Sequence, residues 1–230
     1  MSMKPGTAKN AKREATDETR VRASSIVKRL KKAYPGATTA LLHSNPLELL
    51  VSTILSAQCT DVRVNMVTPE LFKRYRTAKD FSNAHRQELE EMIRSTGFYH
   101  AKAKSIVNCC KALVEQHGGQ VPSSMEELVR LPGVGRKTAN VVLGSAFGIA
   151  VGIVVDTHVK RLSERLGFSK ESDPEKIEQD LMKIISKKDW IAIGDLLILH
   201  GRKTCPARKP QCPDCALNDL CPSAELSPAG

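Results

Sequence analysis

No apolar stretch in this 230-residue sequence approaches the roughly 20 uncharged residues that a membrane helix needs. The N-terminus has no apolar core of the kind a secretory signal carries. Internal repeats and low-complexity segments are missing too. Strand signals are nearly absent: one run, Ile149 to Val155, has the β-branched residues of a buried strand, but with no partner in view it is expected to be a connection. These exclusions point to a soluble intracellular protein built from helices, long enough to fold as one domain or two intimately packed ones.

Charge of one sign is in excess. The formal net charge is +10 and the isoelectric point about 9.3, so an extended polyanion is attracted at low ionic strength, although the same balance also serves solubility. Of seven cysteines, four crowd between Cys205 and Cys221, which does not suit a disulfide framework in a chain of this size and compartment. Thiols gathered in that way usually hold a metal.

Residues 1 to about 20 are polar and lack an apolar period, and are expected to be a flexible basic tail. Asn45 and Pro46 read as cap and first turn of a helix whose Leu47, Leu50, Val51, Ile54 and Leu55 face inward. A second helix is expected from Lys104 to Gln116, with Ile106, Val107, Cys110, Leu113 and Val114 buried and Gly118 and Gly119 as its stop. Ser123 with Glu126 suggests a capping box, and Asp173 with Pro174 starts a helix bearing Ile177, Leu181, Ile184 and Ile185.

Three constellations carry chemistry. The first is Leu131-Pro132-Gly133-Val134-Gly135-Arg136-Lys137, set between a short capped helix and an apolar one containing Ala139, Val142, Leu143 and Ala146. Pro132 ends the first helix and the glycines allow a tight turn, giving a helix-hairpin-helix whose outward N–H groups can seat a phosphate. An ordinary αα-hairpin shares the glycines; Arg136 and Lys137 directly after them favour phosphate. Lys137 begins the second helix, where positive partial charge and desolvation would favour the neutral amine that a nucleophile needs, though a lysine there can also be a plain electrostatic contact.

The second is Val155-Asp156-Thr157-His158, with Val159, Leu162 and Leu166 at helical spacing. Asp156 is placed as an N-cap; brought near Lys137, its carboxylate could also orient water, stabilise positive charge or move protons. His158 reads as a helix-surface or core histidine. The third is Cys205, Cys212, Cys215 and Cys221, with gaps of six, two and five residues. Four thiolates suit either a zinc ion or a [4Fe–4S] cluster, and Arg208 and Lys209 in the first gap would be held as a basic loop.

In this order and separation the three constellations resemble the endonuclease III family, within the wider helix-hairpin-helix DNA glycosylases, from about Val21 to Pro222. The resemblance implies an all-α, two-domain fold with double-stranded DNA bound across the cleft. A six-helix barrel with the hairpin would span 39–149 and an iron–sulfur cluster domain 21–38 with 150–223, leaving 224–230 as a tail. It implies that Lys137 is a Schiff-base nucleophile, Asp156 the essential carboxylate and the four cysteines ligands of a [4Fe–4S] cluster. Gln58 would fill the gap left by an extruded nucleotide, and Gly133, Val134, Gly135, Arg136, Arg208 and Lys209 would touch DNA. Gly97-Phe98-Tyr99-His100 departs from the best-known members, which carry leucine and asparagine where this chain has Phe98 and His100. Phe98 could still wedge between bases; without the resemblance it would pass for a core aromatic.

The implied activity is removal of oxidised pyrimidines and cleavage 3′ to the abasic site, by a monomer acting on damaged or abasic DNA in the cytoplasm, at the nucleoid in a bacterium. Two other readings stand beside it. A monofunctional glycosylase of the same group would lack a lysine at position 137, and a non-enzymatic DNA-binding protein with a structural metal would use Lys137 and Asp156 only as contact and cap.

Overall fold

The computed structural model describes residues 5–224, with side chains from residue 17 onward, and among these every regular element is a helix. None of the helices is long and apolar enough to cross a membrane. The first, α1 (Pro5–Ala33), has helical backbone from Pro5, within the segment expected to be a basic tail, and residues 1–4, like 225–230, lie outside the described residues. Its Ala, Lys, Glu and Arg residues are good helix formers, so the element extends back from its anchored C-terminal half, where Ala23, Ile26 and Leu30 are buried.

The chain divides into two compact units, one of residues 39–151 and one of the residues up to Thr38 together with those from Gly152 onward. In the first, α2 (Pro46–Leu55) starts as expected, with the Asn45 side chain accepting from the Glu48 N–H at 3.0 Å. Then follow α3 (Asp61–Arg74), α4 (Ala78–Ser82), capped reciprocally by Thr77 and Asp80, α5 (Arg86–Ile93) and a 3₁₀ turn at Arg94–Thr96. The long α6 (Tyr99–His117) begins five residues before its expected start and ends at Gly118, φ 59°. Its inner face uses Cys109 beside Cys110, while Val114, expected inside, is exposed. The short α7 (Met125–Leu128) is capped by Ser124, not Ser123: the Ser124 hydroxyl accepts from the Glu127 N–H at 3.2 Å. Last comes α8 (Arg136–Phe147), closed by Gly148 at φ 68°. Here α2 packs on α8 and α4 on α6, around Leu50, Leu71, Phe81, Ile106, Leu113 and Leu143.

The second unit sets the buried stripe of α1 with α9 (Thr157–Arg165), α10 (Pro174–Ile184) and α11 (Trp190–Lys203). The apolar run before Asp156 forms no strand; it is a connection whose Ile153 and Val155 enter this core. Gly194 lets α11 lie close, since a Cβ there would stand 3.3 Å from the Val154 side chain.

Candidate active site

The hairpin is built by contrast between neighbours. Leu131 and Val134 are buried and anchor it, while Pro132, Gly133 and Gly135 between and after them are exposed. Gly133 is required twice over: its φ is +80°, and a Cβ would come within 2.9 Å of the Ser105 Cβ on α6. At Gly135, the N-cap of α8, the opposite holds, because no atom lies within 4 Å of an added Cβ and no side chain caps the helix. A helix start with no side-chain cap is the kind of place that suits an incoming acceptor such as a phosphate. Arg136 is partly buried and Lys137, one residue on, is exposed, so the burial expected around its amine is not provided by the chain itself.

Near the hairpin, a cavity of about 240 Å³ is lined by Gln58, Phe98, Lys102, Ser105, Gly133 and Thr138, among others. Gln58 sits just beyond α2 at φ 51° and Phe98 just before α6 at φ 50°; with Lys209 at φ 53° they are the non-glycine residues with left-handed backbone among the described residues. Such conformations cost free energy and gather where a side chain must be aimed. Phe98 is 65% exposed, which removes the core-aromatic alternative. Lys102 escaped the sequence reading although its signal was present: it occupies the same face of α6 as Ile106, Cys109 and Leu113. It is buried, and its ammonium donates to the Thr96 carbonyl at 2.8 Å.

In the other unit Asp156 is the N-cap of α9, with Oδ1 accepting from the N–H groups of His158 and Val159, both at 2.8 Å. Its Oδ2 has no hydrogen bond among the described residues, so a cap and a chemical role are compatible in this one side chain. His158 packs against Gly201 and the Arg161 guanidinium, and burial holds its pKa below the usual histidine range.

The four cysteines of the third constellation all line one cavity of about 560 Å³ and make no disulfide. Arg165 braces the loop, donating from Nη1 to Cys205 Sγ at 3.0 Å and to the Pro206 carbonyl at 2.8 Å, and from Nη2 to the Ala207 carbonyl at 2.9 Å. Cys215 Sγ accepts from the Leu217 N–H at 3.4 Å and lies 3.6 Å from Nε2 of buried His200, whose Nδ1 meets the Tyr34 hydroxyl at 3.0 Å. Burial, reinforced by the neighbouring thiols, pushes the Cys215 and Cys221 pKa values up, and a cationic centre would offset that cost. No three His, Cys, Asp or Glu side chains among the described residues are grouped as ligands of a single ion. Cys109, pushed to about 12 by burial, and Cys110 belong to the core of the first unit. Arg208 and Lys209 stand exposed on the loop. Arg161, whose Nη2 donates to the Gly201 and Cys205 carbonyls at 3.0 and 3.1 Å, braces the loop with Arg165 and His200; sequence alone does not distinguish the arginines from a solvated face of α9.

A family described as the HhH-GPD superfamily of base excision DNA repair proteins matches residues 51–187. Endonuclease III of Synechocystis sp. is 58% identical over 206 residues, covering 90% of this chain and 94% of the relative. That of Escherichia coli K12 is 43% identical over 196 residues, covering 85% and 92%. A trapped endonuclease III–DNA covalent intermediate, an estranged-adenine complex, is 45% identical with a TM-score of 0.85, covering 90% of this chain and 97% of that one.

Proposed function

This chain belongs to the endonuclease III family of base excision DNA repair proteins, and on that premise we propose which of its residues carry the reaction. It is a bifunctional DNA glycosylase and lyase acting at abasic sites. Lys137 is the nucleophile. The observation that carries this is the exposed lysine in the first turn of α8, beside an uncapped helix start fit to hold a phosphate.

The substrate is double-stranded DNA with an oxidised pyrimidine or an abasic site, engaged by a monomer. Extrusion of the nucleotide exposes C1′, otherwise shielded within the duplex. The neutral amine of Lys137 attacks C1′; the bond to the base breaks and the base leaves with that electron pair, taking up a proton. Loss of the remaining amine proton with ring opening gives an imine. The imine acidifies C2′, and removal of a C2′ proton expels the 3′ phosphate by breaking the C3′–O bond. Water then hydrolyses the imine and returns the lysine. Asp156 keeps Oδ1 on its cap and uses Oδ2 to stabilise positive charge at the sugar or to orient water. Gln58 and Phe98 fill the space left in the duplex, while Gly133, Val134, Gly135, Arg136, Arg208 and Lys209 hold the backbone.

Cys205, Cys212, Cys215 and Cys221 fit a [4Fe–4S] cluster, which would fasten the loop bearing Arg208 and Lys209. Borohydride trapping on abasic duplex DNA tests the assignment. Lys137→Gln should abolish trapping, and Asp156→Asn, which can keep the cap through its amide oxygen, should lower turnover by roughly 10²–10⁴-fold while remaining folded. Trapping that persists in Lys137→Gln would identify another nucleophile.

A further inference from the structure

Lys102 has no part in the reaction just described, yet it is placed at a cost. Its residue is 5% exposed, and its ammonium has one hydrogen-bond partner among the described residues, the neutral Thr96 carbonyl at 2.8 Å. A lysine on the inner face of a helix is costlier to place than an apolar side chain of the same size. Burial accordingly holds its pKa below the ordinary lysine value.

What it grips is the turn that carries Phe98. The Thr96 hydroxyl donates to the Ile93 carbonyl at 2.8 Å, Gly97 follows at φ 72° and Phe98 at φ 50°, and the Lys102 N–H donates to the Phe98 carbonyl at 3.0 Å. Lys102 thus holds the segment from both sides, with its backbone after Phe98 and its ammonium before it. Gly97 and Phe98 are two successive residues at positive φ, a conformation that is costly for Phe98. The same lysine and Phe98 line the cavity shared with Gln58.

We infer that Lys102 is the positioning residue of the Phe98 wedge, fixing the turn Thr96-Gly97-Phe98 so that the ring stands outside the fold, ready to enter a duplex. This rests on the insertion role given to Phe98 above. A wedge matters only where bases are stacked, so the test compares abasic sites in duplex and in single strands. In Lys102→Met the ratio of duplex to single-strand cleavage should fall roughly 10- to 100-fold, the scale of a misplacement of about 1 Å. Its melting temperature should stay level or rise. Lys102→Arg, which keeps donors, should recover much of the ratio, and adding Lys102→Met to Phe98→Ala should cause no further fall.

An equal loss on both substrates, or additive losses in the double variant, would overturn the inference. Should the methionine variant fail to fold, Thr96→Val loosens the same turn from its other side and should lower the same ratio. Fluorescence of 2-aminopurine beside a stable abasic analogue reads insertion without chemistry. Bound wild type should raise it, and Lys102→Met and Phe98→Ala should both suppress it. A Phe98→Ala complex as bright as wild type would mean that Phe98 is not a wedge, a failure of the reading beneath, whereas loss in Phe98→Ala alone would sink Lys102.

Discussion

In the unit of residues 39–151 most groups assigned to DNA stand on the surface and are held by backbone: Gly133 and Gly135 in the hairpin, Gln58 and Phe98 at positive φ, Lys137 in a first helical turn, with buried Val134 as their anchor. In the other unit Arg208 and Lys209 are exposed, but Asp156 and the four cysteines are partly buried. Asp156 is tied to its own helix, and the thiols sit among Arg165, His200 and Tyr34. One unit therefore separates function from stability, and the other makes the same atoms serve both.

The sharpest test of that contrast is Cys212→Ser. If the loop is fastened by a cluster, its binding energy is folding energy, and losing one ligand should lower the melting temperature by roughly 10 °C or more, with iron and sulfide falling together. Iron-free protein of unchanged stability would erase the difference between the units.

Next is Asp195 on α11, which has no hydrogen-bond or ion-pair partner among the described residues and whose pKa burial raises from 3.8 to about 6. The fold favours its neutral form, so the benefit is full below the unfolded value and is lost as pH rises through about 6. Asp195→Asn should then be more stable than wild type by about 3 kcal/mol at pH 8 and equal to it near pH 3. Parallel melts at the two pH values decide it. A constant difference would mean that the carboxylate is not paying that penalty.

The smallest expected effect lies within the exposed hairpin. Gly133→Ala meets both a left-handed φ and the Ser105 Cβ and should cost about 1–3 kcal/mol, whereas Gly135→Ala, in open space at φ −93°, should cost less than about 1 kcal/mol. Urea unfolding of the two variants compares them; equal losses would show that the hairpin is not anchored through Ser105.

Much of this was legible in the sequence where local chemistry is unambiguous. Asn45-Pro46 and Asp173-Pro174 mark helix starts because a capping oxygen and a fixed φ leave little alternative. The start of α6 was hidden because its N-cap, Phe98, makes no side-chain cap. Ser123 and Ser124 each precede a glutamate by three residues, so the pattern alone does not choose the register that packing selects. The four cysteines announce a centre by spacing, but Arg161, Arg165 and His200 become its braces only when α9 and α11 meet the loop.

The division of the chain also has a consequence for synthesis. Residues 39–151 are contiguous and can close their own core soon after leaving the ribosome. Helix α1 precedes that unit, yet Ile26 and Leu30 find their partners on α9, α10 and α11 only after those helices, which follow it, have been made. The apolar stripe of α1 is therefore exposed longest during translation. Chaperone capture and aggregation of stalled nascent chains should concentrate there.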